Sequence, residues 1–308
     1  MVSLLLFPGQ GAQKVGMGKD LAAAFPAARD TFAEIDEALG MALSRVMWEG
    51  PEEELQETRN AQPAILAHSA AVHAVVRGRL GEVAGAAGHS LGEYSAYVAA
   101  GSLDPVSAAR LVRKRGELMH AAGTARHGAM AAVLGLESDL VVRCCREASY
   151  PGSVAVAANL NAPDQTVISG DPVAVAAAGE ACKAAGAKRV VALKVSGAFH
   201  SPLMAPAGDG LREALQAASF REPAFPVVAN ASAEPVATAT DAAHLLGEQL
   251  TAPVRWVECV RALAELAPGG RFLELGPGTV LSGLLKRIVP DAPSVALGTA
   301  ADVEKFLA

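Results

Sequence analysis

The stretch that most constrains how this chain can fold runs from Val83 to Leu103, VAGAAG-HSL-GEYSAYVAAGSL. A short run of small apolar residues enters a glycine-flanked turn and gives way at once to a helical pattern. A buried strand that turns sharply into a helix packed against it belongs to α/β layering, where buried parallel strands are aliphatic. Composition agrees, since aromatic residues make up only 4% of a chain that is 51% hydrophobic. At 308 residues with 19% charged, the chain has apolar material for one large domain or two closely joined ones.

The remaining segments fit that class. SLLLF reads as a first buried strand, PGQGAQKVGMG as a glycine-rich loop, and KDLAAAFPAARDTFAEIDEALG as the helix that follows. Residues 52–80 read as helices. From about residue 126 the rhythm changes. GAMAAVLG, SVAVAANL, DQTVISG and KRVVALKV read as strands, with ESDLVVRCCREASY and DPVAVAAAGEACKAAG as helices between them. That order, βαββαβ, is the ferredoxin-like split unit. The expected organisation is a small domain over 126–195 inserted into an α/β body formed by 1–125 and 196–308, with further strands near PVVAN and RFLELG.

Several function classes are disfavoured. The net charge is −6 with Lys and Arg scattered, so neither a nucleic-acid footprint nor a polybasic membrane anchor stands out. The start, VSLLLFPGQG, lacks a basic leader region and reads as a strand, and no segment is apolar for long enough to span a bilayer. The four cysteines, Cys144, Cys145, Cys182 and Cys259, lack metal-ligand spacing and read as interior residues. No metal and a reducing, cytoplasmic setting are expected.

The chemistry starts at Gly88-His89-Ser90-Leu91-Gly92. G-x-S-x-G between a strand and a helix is the nucleophile-elbow pattern, in which glycines permit a strained turn that lifts the serine hydroxyl above the sheet edge. The plainer alternative is a tight turn with a small capping residue. A serine needs a base, and His89, adjacent in the chain, diverges from Ser90 at such a turn and suits a wall position better. His200, in VSGAFHSPLMAP, follows a strand end and precedes Ser201-Pro202, a helix-start signature, so it sits on a loop where sheet edges present chemistry. On the helix after Asp104-Pro105, Arg115 falls in the middle of the apolar face formed by Ala108, Leu111, Val112, Leu118 and Met119. A buried guanidinium needs a carboxylate, from the protein or from a ligand, unless it snorkels to solvent. Gly9-Gln10-Gly11 fails as a dinucleotide fingerprint because Lys14 stands where the third glycine belongs. Gln10 could instead aim an amide at a reacting centre.

Together, FPGQGAQ, AQPAILA, GHSLGEYSA, RLVRKRG, NAPDQTVISG, GAFHSPLM, LTAPVRW and FLELGPG resemble, in order and across the chain, the malonyl-CoA:acyl carrier protein transacylase family and the acyltransferase domains of polyketide synthases. The resemblance implies an α/β-hydrolase-like large domain carrying the ferredoxin-like one. It implies that Ser90 is the nucleophile and His200 its base, with an oxyanion hole from the backbone N–H groups of Leu91 and Gln10. The main-chain carbonyl of Gln249 would orient His200, and Arg115 would pair with the malonyl carboxylate. His89 would wall the site, and Phe199 before the histidine would favour malonyl over methylmalonyl by filling the space of a methyl branch. The implied reaction is ping-pong transfer of malonyl from malonyl-CoA to the phosphopantetheine thiol of an acyl carrier protein, in fatty-acid or polyketide synthesis. No cofactor is expected, the carrier is expected as a separate chain, and the enzyme as a monomer. Arg113, Lys114, Lys188, Arg189, Lys286 and Arg287 are candidates for docking an acidic carrier. The rival readings are a trans-acting acyltransferase with another extender unit, a serine thioesterase or esterase, and a catalytically silent acyl-binding module.

Overall fold

Ten strands divide between two sheets in the computed structural model, which describes residues 2–308. They are β1 (Ser3–Phe7), β2 (Val83–Gly88), β3 (Ala129–Leu134), β4 (Ala155–Ala162), β5 (Gln165–Gly170), β6 (Arg189–Ala192), β7 (Val227–Val228), β8 (Pro235–Val236), β9 (Arg271–Leu275) and β10 (Ser294–Leu297). The larger sheet has the order β10-β9-β1-β2-β7-β8. Its pairings are parallel except for the β7–β8 edge. β1 is buried along its whole length, which is why it reads as an unbroken apolar run.

The smaller sheet, β4-β5-β3-β6, is antiparallel throughout. The Ser138–Ala148 and Pro172–Ala184 helices pack on it to give the order βαββαβ. Cys144, Cys145 and Cys182 lie in this unit's own core with Val133, Val141 and Ile168, and all four cysteines are buried and free. The two sheets are not independent. Register shifts in β4 at Ala157/Asn159 and Leu160/Ala162 release backbone groups that bond instead to the segment around Val254, with Leu160 N donating to Val254 O at 2.9 Å and Val254 N to Ala158 O at 2.8 Å. That bridge anchors the loop after Gln249, whose carbonyls reach the site described below.

Two sequence expectations need correction. KDLAAAFPAARDTFAEIDEALG forms two helices, Lys19–Ala24 and Pro26–Leu39, broken at Phe25 with φ −125° and ψ 117°. Pro26 disfavours helical backbone in the residue before it and serves as the first residue of the second helix. KRVVALKV pairs as a strand only over Arg189–Ala192, so Lys194 and Val195 are freed to line a cavity. Among the described residues, no helix is long and apolar enough to cross a membrane.

Candidate active site

β2 ends at Gly88, the Gly92–Ala99 helix begins four residues later, and Ser90 between them has φ 53°. A left-handed backbone at a non-glycine residue costs on the order of 1–2 kcal/mol, so the surroundings must hold it. They do so at both backbone groups. Ser90 N donates to Asn230 Oδ1 at 2.7 Å, and Gln249 Nε2 donates to Ser90 O at 2.9 Å. The flanking glycines follow from packing. A Cβ on Gly88 would fall 1.9 Å from the Gly92 backbone, and one on Gly92 would fall 2.1 Å from Phe7 O. Gly9 is pinned in the same way, since its Cβ would meet His89 O at 2.4 Å. This contact brings the Gln10 loop against the elbow.

His200 lies 110 residues downstream, its Nε2 2.7 Å from Ser90 Oγ. Its backbone is also left-handed, at φ 55°. Ser201 fixes the next turn by donating to Ala198 O and accepting from Leu203 N. His200 Nδ1 faces two carbonyls, Gln249 O at 3.0 Å and Ala252 O at 3.2 Å. Carbonyls only accept, so Nδ1 carries the proton and Nε2 is left to accept from Ser90. Burial, reinforced by the Arg115 charge, pushes His200 down to about 3, against the pull of those two carbonyls. A base held neutral this way works to unusually low pH. With an uncharged activated ester as acyl donor, we expect the acid limb of Ser90 acylation to lie well below the ordinary histidine value of about 6.5. A pH–rate profile whose acid limb falls at or above that value would contradict the assignment.

Arg115 is 1% exposed, so it does not snorkel. It also has no carboxylate partner among the described residues. Nη1 donates to Gln62 Oε1 at 2.7 Å, and Nη2 donates to Gln249 Oε1 at 3.0 Å and to Ser90 Oγ at 3.1 Å, while Nε is buried without a partner. Close helix packing puts it there. A Cβ on Gly116 would sit 2.8 Å from the backbone of Arg59 and Thr58, and one on Gly123 would sit 2.1 Å from Ser196 O. The Pro105–Ala125 helix therefore lies hard against both the Gln62 helix and the loop leading to His200. Neutral acceptors offset only part of the desolvation of a guanidinium, and the nearby buried Glu93 favours the cation only through space, so no carboxylate is paired with the charge beside the hydroxyl.

A cavity of about 580 Å³ opens over these groups, and Met119, Met130, Val167 and Phe199 form its apolar wall. His89 is placed at its side, hydrogen-bonded through Nε2 to Asn161 Oδ1 at 2.8 Å and packed on Trp256. Among the described residues, the backbone N–H groups of Leu91 and Gln10 have no protein acceptor, and both residues line the cavity. Of the eight candidate catalytic and acyl-binding residues, Gln10, His89, Ser90, Leu91, Arg115, Phe199 and His200 line this one space, and Gln249 lies behind it, bonded to Arg115 and to His200. Asn230, Gln62 and Glu93 also support it and were not singled out for that purpose. Two of the proposed docking cations are already engaged. Arg113 is bound to Glu117, Asn60 and the Arg59 carbonyl, and Arg287 to Asp164 and Gln165. A larger groove of about 760 Å³ elsewhere is lined by Arg212, His244 and Glu248, and its ionisable groups pair within the protein.

The chain matches the acyl transferase domain family over residues 4–300. It belongs to that family. The malonyl CoA-acyl carrier protein transacylase of Bacillus subtilis is 44% identical over 300 residues, covering 97% of this acyltransferase and 94% of the relative. Among solved structures, an acyl carrier protein S-malonyltransferase from Vibrio cholerae superposes with a TM-score of 0.94 at 42% identity, covering 98% of this chain and 99% of the other. A malonyl-transacylase in complex with its type II PKS acyl-carrier protein also gives 0.94, at 44% identity and covering 100% and 99%. The α/β fold with its two sheets is thus the fold of known malonyl transacylases.

Proposed function

We propose that this acyltransferase moves a malonyl group from malonyl-CoA to the phosphopantetheine thiol of an acyl carrier protein, through a malonyl ester on Ser90. The observation that carries the reading is Arg115, a buried guanidinium 3.1 Å from Ser90 Oγ with no protein carboxylate on it. A malonyl group brings the missing carboxylate at the distance at which its thioester carbonyl meets the hydroxyl.

In the first half-reaction His200 Nε2 takes the Ser90 proton as Oγ bonds to the thioester carbon. The carbonyl oxygen becomes an oxyanion held by the Leu91 and Gln10 N–H groups. The carbon–sulfur bond then breaks, and His200 returns the proton to the departing thiolate of coenzyme A. The carrier's thiol reverses the sequence, losing its proton to His200 and releasing Ser90. The Gln249 main-chain carbonyl keeps Nδ1 protonated throughout. Phe199, 6% exposed, narrows the acyl pocket, and Gly197 makes room for its ring, since a Cβ there would meet Phe199 Cε1 at 3.3 Å. Excluding one methyl branch this way is worth about 1–3 kcal/mol, a preference for malonyl over methylmalonyl.

The same reading takes the larger sheet as an α/β-hydrolase-like body (1–125 and 196–308) and the smaller, over 126–195, as a ferredoxin-like insertion. The carrier arrives as a separate chain, with exposed Lys114, Lys188, Arg189 and Lys286 open to an acidic surface. The enzyme works as a cytoplasmic monomer without a cofactor. The test is transfer from malonyl-, methylmalonyl- and acetyl-CoA to a phosphopantetheinylated carrier. Malonyl should transfer best, and rapid release of free malonate without a carrier would identify a hydrolase instead.

A further inference from the structure

Glu93 is fully buried in the first turn of the helix after Ser90, and the mechanism above gives it no task. Its Oε2 accepts from Asn230 N at 2.9 Å and from Gln249 Nε2 at 2.8 Å, while Oε1 is buried without a partner. Those two partners are the residues that hold the strained Ser90 backbone, and Gln249 also touches Arg115. An amide has two ends that do different work. At Gln249, Nε2 faces the Glu93 carboxyl and Ser90 O at 2.8 and 2.9 Å, with Asn230 Oδ1 farther off at 3.4 Å, while Oε1 faces a pure donor, Arg115 Nη2. Only one orientation of that amide satisfies them all.

We propose that Glu93 is a positioning residue which, by fixing the Gln249 amide, sets the acceptor that aims Arg115 and thereby sets the preference for charged over uncharged acyl groups. The inference rests on reading Arg115 as the acyl-carboxylate site. Without the Glu93 acceptor, the Asn230 backbone donor is orphaned in the interior and one Gln249 donor keeps only Asn230 Oδ1 at 3.4 Å, so the amide, still oriented by Ser90 O and Arg115, is held less tightly. One of the two amide oxygens that fix the Arg115 fork is then less firmly placed. Burial pushes Glu93 up to about 7, against its two hydrogen bonds and the Arg115 charge. The proton has the partnerless Oε1 to occupy, which leaves Oε2 an acceptor in either form. Glutamine can therefore do the same work.

The experiment measures the malonyl:acetyl ratio of kcat/KM for transfer to the carrier in Glu93→Met, Glu93→Gln, Gln249→Met and Arg115→Ala. Gln249→Met removes the amide and keeps the main-chain carbonyl on His200. The ratio is expected to fall at least about tenfold in Glu93→Met and in Gln249→Met, and to stay within about threefold of the parent in Glu93→Gln. A structural role alone would lower both acyl transfers together, and that result in Glu93→Met overturns the proposal. An unchanged ratio in Gln249→Met also overturns it, whether or not Glu93→Met folds, as does a Glu93→Gln variant that loses the preference. Arg115→Ala separates the two levels. If it shifts the ratio and Glu93→Met does not, only the role of Glu93 fails; if it leaves the ratio unchanged, the carboxylate reading fails and this inference falls with it.

Discussion

Ser90→Ala is expected to abolish the malonyl adduct seen by intact mass after incubation with malonyl-CoA, and to lower transfer to the carrier by roughly 10⁵–10⁶-fold. Oγ is the atom that His200 Nε2 addresses at 2.7 Å, and the cavity offers no other hydroxyl or thiol in its place. His200→Ala should cost about as much, and the double variant little more, because nucleophile and base act as one unit. Both proteins should stay folded. Alanine tolerates the left-handed backbone at position 90 no worse than serine, and the clamps on that backbone, Asn230 and Gln249, bond to its N–H and C=O. A circular dichroism melt close to the parent's, together with the missing adduct, therefore attributes the loss to chemistry. An adduct of undiminished yield in Ser90→Ala would place the acyl group on another residue and remove the basis of the mechanism.

Much of this site was legible because its parts announce themselves locally. The elbow is a five-residue pattern whose glycines are demanded by contacts under about 2.2 Å, and such contacts leave no substitute. Arg115 stood out because periodicity placed a charge on an apolar face, and burial of 1% is the physical outcome of that conflict. The supports were harder to see. A first-turn glutamate is ordinarily favoured by the helix dipole, yet GEYSAYVA is apolar nearly all round, and a glutamate inside such a helix has nowhere to point but inward. Asn230 ends PVVAN beside β2, 140 residues from the serine whose N–H it accepts. Only the β2–β7 pairing brings them together. Gln62 sits in AQPAILA on a helix buried along most of its length, and its acceptor role depends on the distance between two helices, which no local pattern encodes. Eight of the ten strands were readable from apolar runs, but the short edge strands β8 and β10 were not, and the order of strands in the larger sheet rests on long-range pairings that no local pattern encodes. The break at Phe25 was missed because the helical period continues through Pro26, although Pro26 constrains the residue before it.

Arg115→Ala should separate charge recognition from bond-making. With malonyl-CoA, kcat/KM is expected to fall by about 10²–10³-fold, the range for losing one side of a desolvated, charge-assisted pair. Acetyl transfer has no carboxylate to lose and should hold or rise. The preference between the two acyl groups would then collapse or invert while Ser90 still forms an adduct. Arg115→Lys should recover part of the malonyl rate, because an ammonium supplies the charge without the planar fork that engages two oxygens at once. A second readout is independent of acyl preference. Arg115 is among the causes that hold His200 low, after burial itself. Removing its charge favours protonation of the imidazole, so the acid limb for an uncharged ester should move to higher pH in Arg115→Ala than in the parent. The sign is fixed: a base whose neutral form is favoured by a neighbouring cation gains protons more readily when that cation is gone. Loss of malonyl preference together with this upward movement would locate the guanidinium beside both the acyl carboxylate and the base. Unchanged acyl preference would remove Arg115 from substrate recognition, whatever the pH profile did.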